Sequence, residues 1–378
     1  MKLRRIRPII KKEFRQISRD KRSLGVLLVV PAFMLVMFGY ALNYDVKNLS
    51  LGILDQDHSV ASRNFSESFL HSEYFEKKFV LVNEHEIDSL LNFGLARAIL
   101  VIPRDFGSHL SGGEPAKVQI LVDGANATIA STAVGYLQAI TQEYSTHISL
   151  EALQKAGLSR PTFPIDFRPR IWYNPELASA KFLVPGLIGF ILMITTVVAT
   201  SLSIVREKEQ GTIEQIDVSP ILPLELILGK TLPYIIISLL STVMILIAGY
   251  FLFDVVVIGS YFWLFIATVL FLGGGLGLGL FVSTAAKTQE AAFMLAVTIA
   301  FLPTFTLSGF TFPIRNMPPV IQAITYLNPA RYFMTALRTI ILKGAGPEAY
   351  WEQLLFLLVF AVFMISISWA KMRKKTIA

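Results

Sequence analysis

Residues 206–220 read REKEQGTIEQIDVSP, a charged and punctuated segment between two runs, 182–205 and 231–253, that contain no Asp, Glu, Lys, Arg or His. Each run is long enough to cross a bilayer, which takes about 20 apolar residues with a range of roughly 17 to 25. The segment between them carries its own start and stop signals. Gly211 interrupts the helix leaving the first run, Thr212 with Gln215 has the T-x-x-Q form of a capping box, and Pro220 disfavours helical geometry in Ser219. A helix is therefore predicted over 213–219, a peg of about two turns. Its exposed face is expected to carry Glu207, Glu209, Glu214 and Asp217, charges that would steer a partner bearing basic groups.

Outward from this segment the chain reads as a polytopic membrane protein. Of 378 residues, 53% are hydrophobic and only 16% charged, against about 25% charged in an average soluble domain. Six stretches lack Asp, Glu, Lys, Arg and His: 23–44, 182–205, 231–253, 255–286, 291–314 and 353–370. They predict six transmembrane helices. The first follows a basic N-terminus, but its run is longer than a secretory h-region and GYALNYD offers no small-residue cleavage site, so it reads as a retained anchor. Cysteine is absent, which excludes disulfides and thiolate metal sites.

Lys and Arg crowd residues 1–22 and recur at Lys371, Arg373, Lys374 and Lys375, so both termini are placed in the cytoplasm. The loop 206–230 is then cytoplasmic, and residues 45–181 and 315–350 lie outside. Within 45–181, LSLGIL, KFVLV, RAILVI and KVQILV read as strands separated by the helical stretches SVASRNFSESFLH, HEIDSLLNFG and DFGSHLSGG, and a long helix is predicted from about 127 to 156. The expected fold is thus an α-helical membrane protein with an inserted extracytoplasmic α/β domain. Residues 1–22 form an amphipathic helix with Ile6, Ile9, Ile10, Phe14 and Ile17 on one face, expected to lie on the cytoplasmic membrane surface. Asn328-Pro329 splits the outer segment into two helices too short to span, with Ile321, Ile324 and Leu327 on the first and Phe333, Leu337, Ile340 and Ile341 on the second. That pair reads as a re-entrant hairpin.

Several motifs resolve into packing rather than chemistry. LGKT at 228–231 resembles the end of a phosphate-binding loop, but Leu224 stands where the first glycine must be and no strand precedes it. In GGGLGLG, Gly273 with Gly277 and Gly275 with Gly279 have the spacing that lets membrane helices pack closely. The five histidines, His58, His71, His85, His109 and His147, lack the spacing of a metal helix, and neither G-x-S-x-G nor H-E-x-x-H occurs. No catalytic residue and no metal site are expected. Thr195, Thr196, Thr200, Thr304, Thr306 and Ser308 lie in apolar runs, where hydroxyls either bond back to helix carbonyls or line a substrate path.

No Asp, Glu or His is buried mid-span to couple transport to an ion gradient. Work on a solute must then come from outside the bilayer, with the 206–220 segment as the handle. E-x-E-x-G-T-x-E-Q with the following Ser-Pro, LVDGANAT, IWYNPEL, FLVPG and LSGFTFPIRNMPPVIQAITYLNPARYF together resemble the permease subunits of bacterial ABC-2 type exporters that carry a large extracytoplasmic domain. The resemblance runs from about residue 10 to 370. It implies an inner-membrane efflux subunit whose 213–219 helix docks on a separate cytoplasmic ATPase, which alone would bind ATP and Mg. Coupling would fall to Glu207, Glu209, Gly211, Thr212, Glu214, Gln215 and Asp217, although Asp217 departs from the apolar residue of many relatives. It further implies an N-terminal elbow helix, an outer hairpin containing Asn328, Pro329 and Arg331, and spans two and five facing a second permease copy or paralogue. Implied cargo is drugs or other amphipathic molecules, sometimes with a periplasmic adaptor protein. Lipid or polysaccharide export, or a membrane-anchored receptor acting through the outer domain, are the alternatives. Membrane lipids, but no nucleic acid, complete the expected partners.

Overall fold

The computed structural model describes residues 3–41, 48–72, 74–155, 172–174, 178–212 and 222–377. The chain divides into two compact units, Met1–Asn43 with Ile171–Ala378, and Tyr44–Arg170. The first is helical. It contains α1 (Leu3–Arg19) and α2 (Lys21–Ala41), and in the same unit α7 (Ser179–Glu209), α8 (Pro223–Phe253), α9 (Tyr261–Ala285), α10 (Gln289–Leu307), α11 (Pro319–Thr325), α12 (Pro329–Arg338) and α13 (Trp351–Ile377). Among the described residues, α7, α8, α9, α10 and α13 are long and apolar enough to cross a membrane, and α2 contributes a shorter apolar stretch, Leu27–Ala41.

Side-chain chemistry explains where these helices begin. Thr288 Oγ1 accepts from Ala291 N at 3.2 Å at the start of α10, and Asn328 Oδ1 accepts from Ala330 N at 3.0 Å at the start of α12. Pro223 opens α8, where a missing N–H costs nothing, and Glu225 reaches back to accept from Leu222 N at 3.2 Å. The core runs along α7, where Leu187, Ile191, Leu192 and Val197 are sealed against residues of α9 and α12 such as Phe271 and Phe333, whose rings stack 4.0 Å apart. Lipid tails are as apolar as these side chains, so between membrane helices it is close van der Waals packing, not removal from water, that such contacts contribute.

The glycine run of α9 seats two helices on two faces. A Cβ on Gly275 would meet Thr196 Cγ2 of α7 at 3.3 Å and one on Gly279 would meet Thr200 Cβ at 2.8 Å; on the other face, a Cβ on Gly277 would meet Met364 Cβ of α13 at 2.7 Å. The Ser368 hydroxyl donates to the Gly277 carbonyl at 3.1 Å across the same contact.

The unit Tyr44–Arg170 holds a four-stranded sheet of order β2-β1-β3-β4, from β1 (Leu49–Asp55), β2 (Phe75–Val80), β3 (Ala98–Ile102) and β4 (Gln119–Val122). β1 is parallel to β2 and β3, and β4 is antiparallel to β3. Helices α3 (Val60–Leu70), α4 (His85–Asn92), α5 (Phe106–Gly112) and α6 (Ala127–Lys155) supply the rest. Side chains of a strand alternate between faces. Leu51, Ile53, Leu100 and Ile102 pack with Phe65, Phe69, Phe106 and Leu137 from the helices on one side. Leu54 and Ile99 on the other meet Ile87, Leu90 and Leu91 of α4.

At the end of β4, Asp123 accepts from Ala125 N at 3.0 Å and from Arg97 Nη1 at 2.6 Å. The turn N–H first, and the guanidinium second, hold this carboxyl below the usual aspartate range. Because the folded value is the lower one, the stabilisation is complete above the unfolded pKa of about 3.9 and is lost as pH falls through the folded value. Hydrogen exchange at β4 in the full chain should therefore accelerate only at strongly acidic pH, and Asp123→Asn should remove that acid-dependent phase.

Candidate functional site

Arg206, Glu207, Lys208 and Glu209, the end of α7 and the start of the 206–220 segment predicted to act as the handle, tie the chain's helices together. An α-helix turns about 100° per residue, so consecutive side chains at a convergence of helices reach different neighbours. Arg206 Nη1 lies 3.7 Å from Asp20, the residue joining α1 to α2. Glu207 accepts from Lys12 Nζ of α1 at 2.6 Å and pairs with Lys230 Nζ of α8 at 2.7 Å. Lys208 Nζ donates to the Ser283 carbonyl near the end of α9. Glu209 accepts from Gln289 N at 2.7 Å and from the Gln289 side chain at the start of α10.

The centre of this arrangement is a buried ionic network. Glu207, Lys230 and Glu13 are 3%, 4% and 2% exposed, and Lys230 also stands 3.3 Å from Glu13. Lys12 supplies the second positive charge from the half-exposed rim. Two carboxylates and two ammonium groups therefore balance in a low-dielectric setting, where an unpaired charge would be costly. Nearby, Glu225 is fully buried with Arg5 at 3.9 Å.

Burial of Glu207 corrects the expectation that it stands on the exposed face of the peg. The reason is its phase on α7, which turns it toward α1 and α8. Glu209 is exposed as a residue, but its carboxylate is occupied by Gln289. Gly211 has φ of +68° with open space around it, the left-handed geometry that ends a helix. Thr212 Oγ1 donates to the Glu207 carbonyl at 3.2 Å. Glu214, Gln215 and Asp217, and with them the predicted 213–219 helix, lie outside the described residues.

Sequence reasoning missed Lys12, Glu13 and Lys230, although signals existed. Glu13 falls seven residues after Ile6 and four before Ile17, which puts it on the apolar face of α1, and both isoleucines are buried. Lys230 interrupts an otherwise apolar run. The LGKT stretch is thus a docking point for α1: a Cβ on Gly229 would come within 2.8 Å of Ile9 Cβ, and Lys230 beside it takes Glu13 and Glu207. The apolar face of α1 packs on α8 of the same chain.

The hydroxyls proposed for a path divide. Thr195 donates to Ile191 O at 2.8 Å, Thr200 to Thr196 O at 2.8 Å, Thr306 to Leu302 O at 2.6 Å, and Ser308 to Thr304 O. Thr196 and Thr200 face the glycines of α9. Thr304 lines a cleft of about 270 Å3 whose other walls include Met193, Leu278, Leu327 and Phe360. Of the six hydroxyl residues it is the one in that lining among the described residues.

In the outer pair, Asn328 Nδ2 donates to the Pro303 carbonyl of α10 at 2.6 Å, while Pro329 opens α12. Arg331 bonds Thr325 Oγ1 and stacks 3.9 Å from the Tyr326 ring, joining α11 to α12. Phe333, Leu337, Ile340 and Ile341 are fully buried, whereas Ile321 and Ile324 of α11 are exposed, as is Leu327, which lies in the turn after that helix rather than on it. Arg338 Nη1 donates to the Gly309 carbonyl at 3.1 Å with the guanidinium over Phe182. Among the described residues no group of His, Asp and Glu is gathered as a metal site.

The family described as ABC-2 family transporter protein matches residues 21–370. The chain is 35% identical over 375 residues to the Escherichia coli K12 protein named "Probable multidrug ABC transporter permease YbhS", covering 98% of this chain and 97% of that one. It is 30% identical to "Probable multidrug ABC transporter permease YbhR" of the same strain, covering 98% and 99%. A more distant relative, "Linearmycin resistance permease protein LnrN" of Bacillus subtilis, is 21% identical over 88% of this chain and 90% of its own. The chain belongs to the ABC-2 transporter family.

Proposed function

We propose that this chain is the permease subunit of an ATP-driven exporter of the bacterial inner membrane, moving drugs or other amphipathic small molecules. Six spans with both termini in the cytoplasm, the first of them α2, place Arg206–Glu209 at the inner surface and the Tyr44–Arg170 unit outside. A separate cytoplasmic ATPase, holding ATP and Mg, grips residues 211–220. A second permease, identical or paralogous, completes the pathway, because six helices enclose little volume. A periplasmic adaptor can dock on the outer unit. The permease names of the relatives at 30–35% identity support this reading, as does the apolar lining of the cleft at Thr304.

The observation that carries it is the end of α7. A displacement of the segment after Gly211 reaches α1 and α8 through Glu207, α9 through Lys208 and α10 through Glu209. A short cytoplasmic handle thereby acts on four further helices rather than on one.

The permease purified with its ATPase and reconstituted in vesicles tests the reading. Gly211→Pro forces φ to about −65° where +68° is needed, and Glu209→Ala releases α10. Each should leave the complex assembled and lower ATP-driven dye efflux at least tenfold. Wild-type vesicles that transport on a pH or sodium gradient without ATP, or variants with unaltered ATP-driven efflux, would overturn it.

A further inference from the structure

We propose that the groove between α1 and Arg206 is a binding site for the phosphate of an anionic phospholipid headgroup. It measures about 700 Å3 and its walls include Lys11, Lys12, Arg15, Arg19, Asp20 and Arg206. Lys11, Arg15 and Arg19 follow one another at i, i+4 and i+8, so they stack on one face of α1, where like charges repel. Lys12 is committed to Glu207, and Arg206 shares Asp20. Among the described residues Lys11, Arg15 and Arg19 make no ion pair. Converging cations with one carboxylate among them call for an anion from outside the chain. A phosphate suits them, because guanidinium forks bind its oxygens in pairs.

Three observations favour a lipid as the source. The opposite face of α1 is used up inside the chain, with Ile6, Glu13 and Ile17 buried, so the cationic face is the outward one. Immediately after Asp20, α2 rises with Val29, Phe33, Met37 and Tyr40 exposed 55–60% in a helical stripe on which acyl chains can lie. The segment proposed to meet the ATPase, 211–220, carries Glu214 and Asp217, so its complement there is basic and would be repelled by the groove. The inference rests on the membrane placement given under Proposed function, not on the identity of the cargo.

The permease–ATPase complex, purified and equilibrated in vesicles of phosphatidylcholine and phosphatidylglycerol at four to one, is extracted into detergent, and its retained lipids are counted by native mass spectrometry. Wild type should retain phosphatidylglycerol in preference to phosphatidylcholine. Each basic residue at an anionic surface is worth about fivefold in binding; Lys11→Gln/Arg15→Gln/Arg19→Gln should therefore reduce retention by more than tenfold. Arg19→Gln alone, less disturbing to insertion, should reduce it about fivefold. Equal retention of the two lipids by wild type, or of phosphatidylglycerol by wild type and both variants, would overturn the proposal. Displacement by millimolar inorganic phosphate would also overturn it, in favour of a soluble anion. ATP-driven efflux measured in the same vesicles tests the exporter reading separately, since lipid retention requires no transport.

Discussion

Lys230→Met is expected to be the most destabilising single substitution of a charged residue in this protein. Lys230 stands 2.7 Å from Glu207 and 3.3 Å from Glu13, and all three are at least 96% buried. Its removal leaves two carboxylates in the interior with only Lys12, from the rim, to offset them. Losing one member of a buried ion pair costs about 3–5 kcal/mol, because the remaining charge stays desolvated without its partner. The double variant Glu13→Gln/Lys230→Met removes one charge of each sign and leaves Glu207 with Lys12. It should recover part of that loss, a coupling of about 0.5–3 kcal/mol. Thermal unfolding of the purified permease in detergent reads both. A neutral Lys230→Met, or a double variant no better than the single, would show that the network does not hold α1 to α7 and α8.

The second large effect is steric. Gly279→Leu should prevent α7 and α9 from closing, because a Cβ there would stand 2.8 Å from both Thr200 Cβ and the Val197 carbonyl oxygen. Backbone cannot give way as the tip of a flexible side chain can, so the cost should reach or exceed the roughly 3 kcal/mol upper range of ordinary overpacking. Gly273→Ala is the control on the same helix: its Cβ would meet Ala361 Cβ at 3.5 Å, an ordinary contact. Alanine also favours helix by up to about 1 kcal/mol. Yield of monodisperse protein after detergent extraction should collapse for Gly279→Leu and hold for Gly273→Ala. Equal yields would mean that the α7–α9 contact can open without penalty.

The two sites share a logic that bears on the exporter. Gly275 and Gly279 fix α7 against α9, while Arg206–Glu209 fix its end to the surrounding helices. A helix held both along its length and at its foot transmits a push as a body. This is what a handle on the following segment needs.

The sequence by itself determined the elements and their breaks. Short apolar runs bounded by helical and turn stretches located the four strands, β2 three residues late, the Asn328-Pro329 dipeptide located the division between α11 and α12, and unbroken apolar runs located the long helices. These are local properties of the chain, set by side-chain spacing and backbone geometry within a few residues. Only the tertiary structure decided that Glu207 is inside. Glu207 read as solvent-facing in a charged run, yet it is buried between residues 195 positions before it and 23 after it, Lys12 and Lys230. The same holds for the glycines, whose spacing announced close packing while the fold assigned Gly275 and Gly279 to α7 and Gly277 to α13. Desolvation and steric fit depend on which surfaces distant segments bring together, and no local pattern encodes that pairing.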